Sequence, residues 1–221
     1  MKIDIHNLRF GYPTGDFNIH IPELHLVSGQ STALVGPSGC GKTTFLNLIS
    51  SLVKPQEGLI LADDLSLGDL NDRQKRKFRA VQTGYVFQDF ALIDYLTAYE
   101  NILYPYLITR RTQPDDMNGR IEGLAESFGI SHVLDKKPAQ ISQGEKQRVA
   151  ISRAMLTRPP LILADEPMGN LDPDNKIAIL DHLLAQTVET GATLVVVTHD
   201  TGLAARFDRV LDFTHFGRRD A

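Results

Sequence analysis

Lys42 and Thr43 close the run Gly36-Pro37-Ser38-Gly39-Cys40-Gly41-Lys42-Thr43, which has the G-x-x-x-x-G-K-[ST] spacing of a phosphate-binding loop. Small residues there let backbone N–H groups wrap around phosphates, and the N-terminus of a following helix adds partial positive charge. Lys42 is placed to reach the β- and γ-phosphates of a nucleoside triphosphate, and the Thr43 hydroxyl to ligate Mg²⁺. A second loop, Ile141-Ser142-Gln143-Gly144-Glu145-Lys146-Gln147-Arg148, precedes the apolar run Leu161-Ile162-Leu163-Ala164, which ends in Asp165-Glu166. Asp165 suits Mg²⁺, directly or through water. Glu166 is then placed to polarise a water for attack on the γ-phosphate. A capping or turn pair before Pro167 is the plainer explanation of these two acids, but the phosphate-binding loop upstream favours chemistry. Gln88 and His199 follow two other apolar runs, and their types suit contact with water, metal or phosphate.

The elements needed to position these groups are legible. Ser31–Val35 reads as a buried strand leading into the first loop, and Thr44–Ser50 as the helix leading out. Strands are also expected at Gly58–Ala62, Gly84–Phe87, Leu161–Ala164 and Thr193–Val197. All-apolar runs are typical of parallel strands covered on both faces. Helices are expected at Asn71–Ala80, Glu145–Thr157 and Asn175–Glu189, with a mostly helical stretch from about Leu96 to Val133 broken at Gln113–Asp116. Residues 1–30 read as short strands with turns at Tyr12–Gly15 and Val27–Gln30. Alternating strands and helices imply an α/β fold with a mainly parallel sheet, in which polar strand ends share one rim.

Bulk properties narrow the classes. The chain has 221 residues, 42% hydrophobic content and a net charge of −4, which suits a single domain and gives no general attraction to nucleic acid. The helix near Asn71–Ala80 is locally basic through Arg73, Lys75, Arg76, Lys77 and Arg79. A solvated helix face accounts for that run, with an anionic partner as the alternative. Its one cysteine, Cys40, excludes an intramolecular disulfide and fits a reducing compartment. Residues 1–10 alternate like a strand, unlike the apolar core of a signal peptide, so no leader is expected. No apolar run approaches the roughly 18 residues needed to cross a bilayer.

In order and type, these motifs resemble those of ATP-binding cassette (ABC) ATPases over nearly the whole chain. Gly36–Thr43 is similar to Walker A, Gln88 to the Q-loop, Ser142–Arg148 to the signature, and Leu161–Asp165 with Glu166 to Walker B. Gly169-Asn170-Leu171-Asp172 is similar to the D-loop, His199 to the switch histidine, and Tyr12 to the aromatic that stacks on adenine. The resemblance implies a P-loop NTPase (RecA-like) core, an N-terminal antiparallel β-subdomain and a helical subdomain inserted at about 89–157, together one domain over 1–221. It implies ATP and Mg²⁺ as ligands, with Glu166, His199 and Gln88 catalytic and Thr43, Gln88 and Asp165 at the metal. Tyr12, Gly36, Pro37, Ser38, Gly39, Cys40, Gly41, Lys42, Thr43 and Thr44 would bind nucleotide on one copy. Ser142, Gln143, Gly144, Glu145 and Asp172 would complete the site from a second, in a head-to-tail homodimer.

The signature departs from the family's L-S-G-G-Q, because Gln143 replaces a glycine and Glu145 a glutamine. A side chain at 143 would be costly if the position needed positive φ, and Glu145 would be unfavourable if it pointed at the phosphates. The stretch Glu166-Pro167-Met168-Gly169-Asn170-Leu171-Asp172 resembles the E-P-T-G-N-L-D of the lipoprotein-releasing, macrolide-exporting and cell-division group (LolD-, MacB- and FtsE-like), with Met168 in place of threonine. That implies an integral membrane permease as partner, no nucleic acid, and a peripheral cytoplasmic location on the inner face of a bacterial plasma membrane. The permease would dock beside Gln88, with Phe90, Leu92, Ile93 and Tyr95 as candidate contacts or else ordinary core. An importer ATPase for amino acids or other small solutes is the alternative.

Overall fold

The computed structural model describes residues 1–13, 17–109, 115–169 and 173–219. Two sheets share the chain. In the first, β1 (Ile3–Gly11) and β2 (Phe17–Leu26) pair antiparallel with Ile3 opposite Leu26, Ile5 opposite Leu24, Leu8 opposite Ile21 and Phe10 opposite Ile19. All eight side chains are buried. They include odd and even positions of β1 because the ladder to β4 (Glu57–Ala62) shifts register between His6 and Arg9. Asn7 and Gly58 both take positive φ there, and a Cβ on Gly58 would lie 2.3 Å from the Asn7 carbonyl oxygen. The bulge thus requires glycine and turns the later residues of β1 back toward the core. β1 spans most of the strand-like alternation of residues 1–10, and β2, at ten residues, is longer than the short strands expected from the turn signals.

The second sheet is parallel, in the order β6 (Thr83–Val86), β7 (Leu161–Asp165), β8 (Thr193–Val197), β3 (Ser31–Val35), β9 (Arg209–Asp212). β7 and β8 are buried at every residue. Leu161, Leu163, Val195 and Val197 face α1 (Lys42–Ile49) and the first sheet, while Ile162, Ala164, Leu194 and Val196 face a second apolar cluster formed with the helices. Cover on both faces explains the unbroken apolar runs. The first sheet is completed by β5 (Leu65–Ser66) beside β4 and by β10 (Gly217–Arg219), which returns from the C-terminal end to pair with β2.

Outside the strands, α2 (Asp72–Gln82) begins at an Asn71–Gln74 capping box and buries Phe78. Between β6 and β7 run α3 (Ala98–Thr109), α4 (Met117–Ser127) and α5 (Gln143–Met155), with α5 packed against α3, α4 and β6. The expected break at Gln113–Asp116 lies partly outside the described residues; Asp116 caps α4 through the Gly119 N–H. α6 (Pro173–Thr190) precedes β8, and the short α7 (Thr201–Ala204) is capped by Asp200. Among the described residues, no helix is long and apolar enough to cross a membrane.

Candidate functional site

β3 delivers the chain to the first loop, and α1 starts at Lys42 with Gly41 as N-cap at φ 101°. Glycine is demanded by crowding as well as by φ, since a Cβ on Gly41 would sit 2.5 Å from Phe17 Cζ and 3.0 Å from Ile19 Cδ1. On the other side a Cβ on Gly217 would lie 2.0 Å from the Cys40 carbonyl oxygen. The first sheet, through β2 and β10, therefore clamps the loop in shape. The buried Lys42 ammonium donates to the carbonyls of Gly36 at 2.7 Å and Pro37 at 2.9 Å, with Cys40 Sγ at 3.8 Å. Neither Sγ nor the Cys40 backbone lines the cleft, so this residue belongs to the back of the loop.

The parallel register brings the polar strand ends together. Leu34 and Asp165 both pair with Val197, and Val86 pairs with Ala164. Gly36, Gln88, Asp165–Glu166 and His199 therefore emerge at one edge. Asp165 is 3% exposed, and burial raises its pKa; the Thr43 hydroxyl and the Lys42 charge oppose that, while Glu166 adds to it. Glu166 holds φ at 49°, with its N–H on the Val197 carbonyl at 3.1 Å and its own carbonyl bonded by the Gly169 N–H at 3.1 Å. Its carboxylate lies 3.3 Å from His199 Nδ1, and the imidazole is otherwise 67% exposed. Met168 packs in the helix-side core.

A cleft of about 390 Å³ collects Tyr12, Ser38, Gly39, Gly41 to Thr44, Gln88, Asp165 and Glu166, together with Phe17 and Val197. Tyr12 stands at the mouth, 41% exposed, edge-on to Phe10 at 5.0 Å, with its hydroxyl 3.3 Å from Thr44 Oγ1. The loop amides, the lysine and the helix N-terminus fit a polyphosphate. The Thr43 hydroxyl, the Asp165 carboxylate and the Gln88 amide oxygen are hard oxygen donors, which fits Mg²⁺ when phosphate oxygens and water complete its shell. Such an ion would supply charge neutralisation at the phosphates.

Ser142–Glu145 do not line this cleft. Ser142 caps α5, and Gln143, on the first helical turn, is absent from the described residues with positive φ, so the feared backbone cost does not arise. The Glu145 carboxylate folds back onto its own cap and onto His132, which holds its pKa down to about 2. Asp172 lies outside the described residues.

Three further groups tie these parts together in roles that the sequence did not assign to them. Gln147 Nε2 on α5 donates to the Glu166 carbonyl at 3.4 Å. Arg153, also on α5, donates at 2.6 Å to both the Phe90 and Ala91 carbonyls, in a loop where both residues take positive φ; burial lowers its pKa to about 10. Asn101 is wholly buried and bonds Ile93 N–H and the carbonyls of Ile93, Leu96 and Thr97. Phe90 is buried, Leu92 is half-buried against the helix-side core, Ile93 is pinned by Asn101, and Tyr95 is 74% exposed. Beside this loop a groove of about 830 Å³ opens between α2, α3 and α5. Its lining combines apolar and aromatic side chains (Leu52, Tyr85, Phe87, Tyr104, Ile108) with the cations Arg73, Arg76 and Lys77.

Comparison with known proteins finds relatives of this sequence and of this fold. The family model described as ABC transporter matches residues 19–169. The lipoprotein-releasing system ATP-binding protein LolD of Colwellia psychrerythraea is 40% identical over 187 residues, covering 85% of this chain and 72% of that protein. The uncharacterized ABC transporter ATP-binding protein YbbA of Escherichia coli K12 is 39% identical over 212 residues, covering 95% and 92%. A solved dimer of the ATP-binding cassette MJ0796 in a post-hydrolysis state, bound to ADP and Pi, superimposes with TM-score 0.87 at 33% identity over 98% of both chains.

Proposed function

Because the chain belongs to the ABC transporter family and is an ATPase, we propose that it drives a membrane permease by closing head to tail on a second copy of itself around ATP and Mg²⁺. Lys42 and the loop amides hold the phosphates; Thr43, Asp165 and Gln88 hold the cation. Glu166 takes a proton from the attacking water, and His199 orients Glu166 and the γ-phosphate. Ser142 and the Gly144 N–H, backed by the N-terminus of α5, close on the γ-phosphate held by the other copy. Tyr12 packs on the adenine, and Gln143, Glu145 and Asp172 border the shared site. Hydrolysis and phosphate release reopen the dimer.

One observation carries this reading. Lys42, Thr43, Gln88, Asp165 and Glu166 share a cleft, whereas the Ser142 cap, which bears the other phosphate-binding geometry, is not among its lining residues. A second copy supplies that cap. The cassette so described is one unit over 1–221, with about 89–157 as the helical part that carries the cap and the permease contact. The groove beside α2 takes the permease's cytoplasmic segment, and the chain sits through it on the inner face of the bacterial plasma membrane. The likeness to lipoprotein-releasing relatives supports export or mechanical transmission as the task of the complex.

Trapping the sandwich tests the proposal. Glu166→Gln should abolish turnover while leaving binding intact, so ATP with Mg²⁺ should convert the monomer to a stable dimer in analytical ultracentrifugation, and ADP should not. A variant that stays monomeric with ATP, with and without its permease, refutes the shared site.

A further inference from the structure

Ser142 is bound to Glu145 three times over. Its backbone N–H donates to Glu145 Oε2 at 2.7 Å, its hydroxyl donates to the same oxygen at 2.8 Å, and its Oγ accepts the Glu145 N–H at 3.3 Å. The other carboxylate oxygen, Oε1, meets His132 Nε2 at 2.8 Å, from the turn Ser131–Val133. A serine hydroxyl has one proton to give. While that proton rests on Glu145 it is not available to a phosphate, and turning it toward one sets a bare carboxylate one hydroxyl away from a second anion. The carboxylate is charged at neutral pH, with its pKa held at about 2, and is largely covered, while His132 is mostly exposed.

We propose that Glu145 is a positioning residue that competes with the γ-phosphate for the Ser142 proton, and that His132 holds its other oxygen, so that this pair sets how tightly the cap of one copy closes on the nucleotide of the other. The inference rests on the shared site proposed above. Glutamine at 145 keeps an oxygen for both Ser142 donors and turns an amide toward His132, so the cap survives and only the charge is lost.

The test measures the ATP concentration for half-maximal dimerisation in the Glu166→Gln protein by light scattering. Glu145→Gln should lower it by roughly three- to tenfold, the scale of removing one charge from a phosphate several ångströms away in a water-rich interface. The gain should shrink as salt is raised, because exposed charges are screened. His132→Ala should raise the midpoint, and should do nothing once residue 145 is glutamine. A cap acting only as structure would weaken the dimer in both single variants and show no dependence on salt. If the Glu166→Gln parent dimerises but Glu145→Gln leaves its midpoint unchanged or higher, this inference is overturned alone. A parent that never dimerises overturns the shared site and the inference together.

Discussion

Replacing Asn101 with alanine should loosen the segment that joins the nucleotide cleft to the groove. Asn101 is 0% exposed; its side-chain oxygen accepts from Ile93 N at 2.8 Å, and the two N–H groups of its amide are shared among Thr97 O at 2.9 Å, Ile93 O at 3.1 Å and Leu96 O at 3.3 Å. These bonds differ in what their loss costs. The Ile93 N–H loses its acceptor in a half-buried position, worth about 1–2 kcal/mol. Thr97 O still accepts the Asn101 backbone N–H at 2.9 Å, so its second bond adds about 0.5 kcal/mol. The Ile93 and Leu96 carbonyls add about 1 kcal/mol together, and the space left by the amide adds a little more. The sum is about 3 kcal/mol. Urea unfolding should show a lower midpoint at unchanged slope, so that the loss is one of stability and not of compactness. Asn101→Asp should also destabilise, because it keeps the acceptor but buries a charge among carbonyls. A cost below about 0.5 kcal/mol for Asn101→Ala would refute the view that this side chain holds residues 93–97 in place.

Three other outcomes follow from the same geometry. Gln143→Gly should cost less than about 1 kcal/mol of stability, since the position is exposed and helical, and should leave ATPase turnover similar or higher in a steady-state phosphate-release assay; a severe loss of turnover would show that the Gln143 side chain acts in the site. Charge reversal in the groove (Arg73→Glu with Arg76→Glu) should weaken permease binding by roughly tenfold or more in a pull-down titration while the cassette's own ATPase rate changes little, because a groove lined by apolar side chains and cations suits a segment carrying carboxylates. Glu145 has its folded pKa depressed to about 2 from 4.5, so its contribution is present above about 4.5 and is lost as pH falls from there toward 2. Glu145→Gln should remove about 1 kcal/mol of that acid-side slope in unfolding midpoints measured between pH 5 and 3, a modest size because the pair sits near the surface.

Much of the site could be read in one dimension. Gly36–Thr43 is contiguous, and its chemistry depends on backbone groups that neighbouring residues supply themselves. The α/β class followed from the alternation of short apolar runs, typical of strands covered on both faces, with helical segments. What could not be read was mostly long-range. The pairing of β10 with β2, which brings Gly217 against Cys40, leaves no local mark, because three residues at the end of a chain have no periodicity. The bulge at Asn7 and Gly58, which shifts the register of β1 on β4, could not be foreseen from the alternation of residues 1–10. Nothing local in the helix expected at Glu145–Thr157 showed that Arg153 and Gln147 would meet loop carbonyls, which the fold sets opposite them.

By itself, the sequence pointed to the chemistry: the residue types at 42, 43, 88, 165, 166 and 199 are those that a polyphosphate, a hard cation and an attacking water would call for. The tertiary structure decided how those residues meet and how the second loop behaves. Parallel register carried Gln88, Asp165 and His199 to one edge, because each strand's partner ends level with it. The same folding set His132, 13 residues away, against the Glu145 carboxylate that caps Ser142 locally. A carboxylate's effect depends on the donors around it, and position in a chain does not specify those donors until the chain has folded.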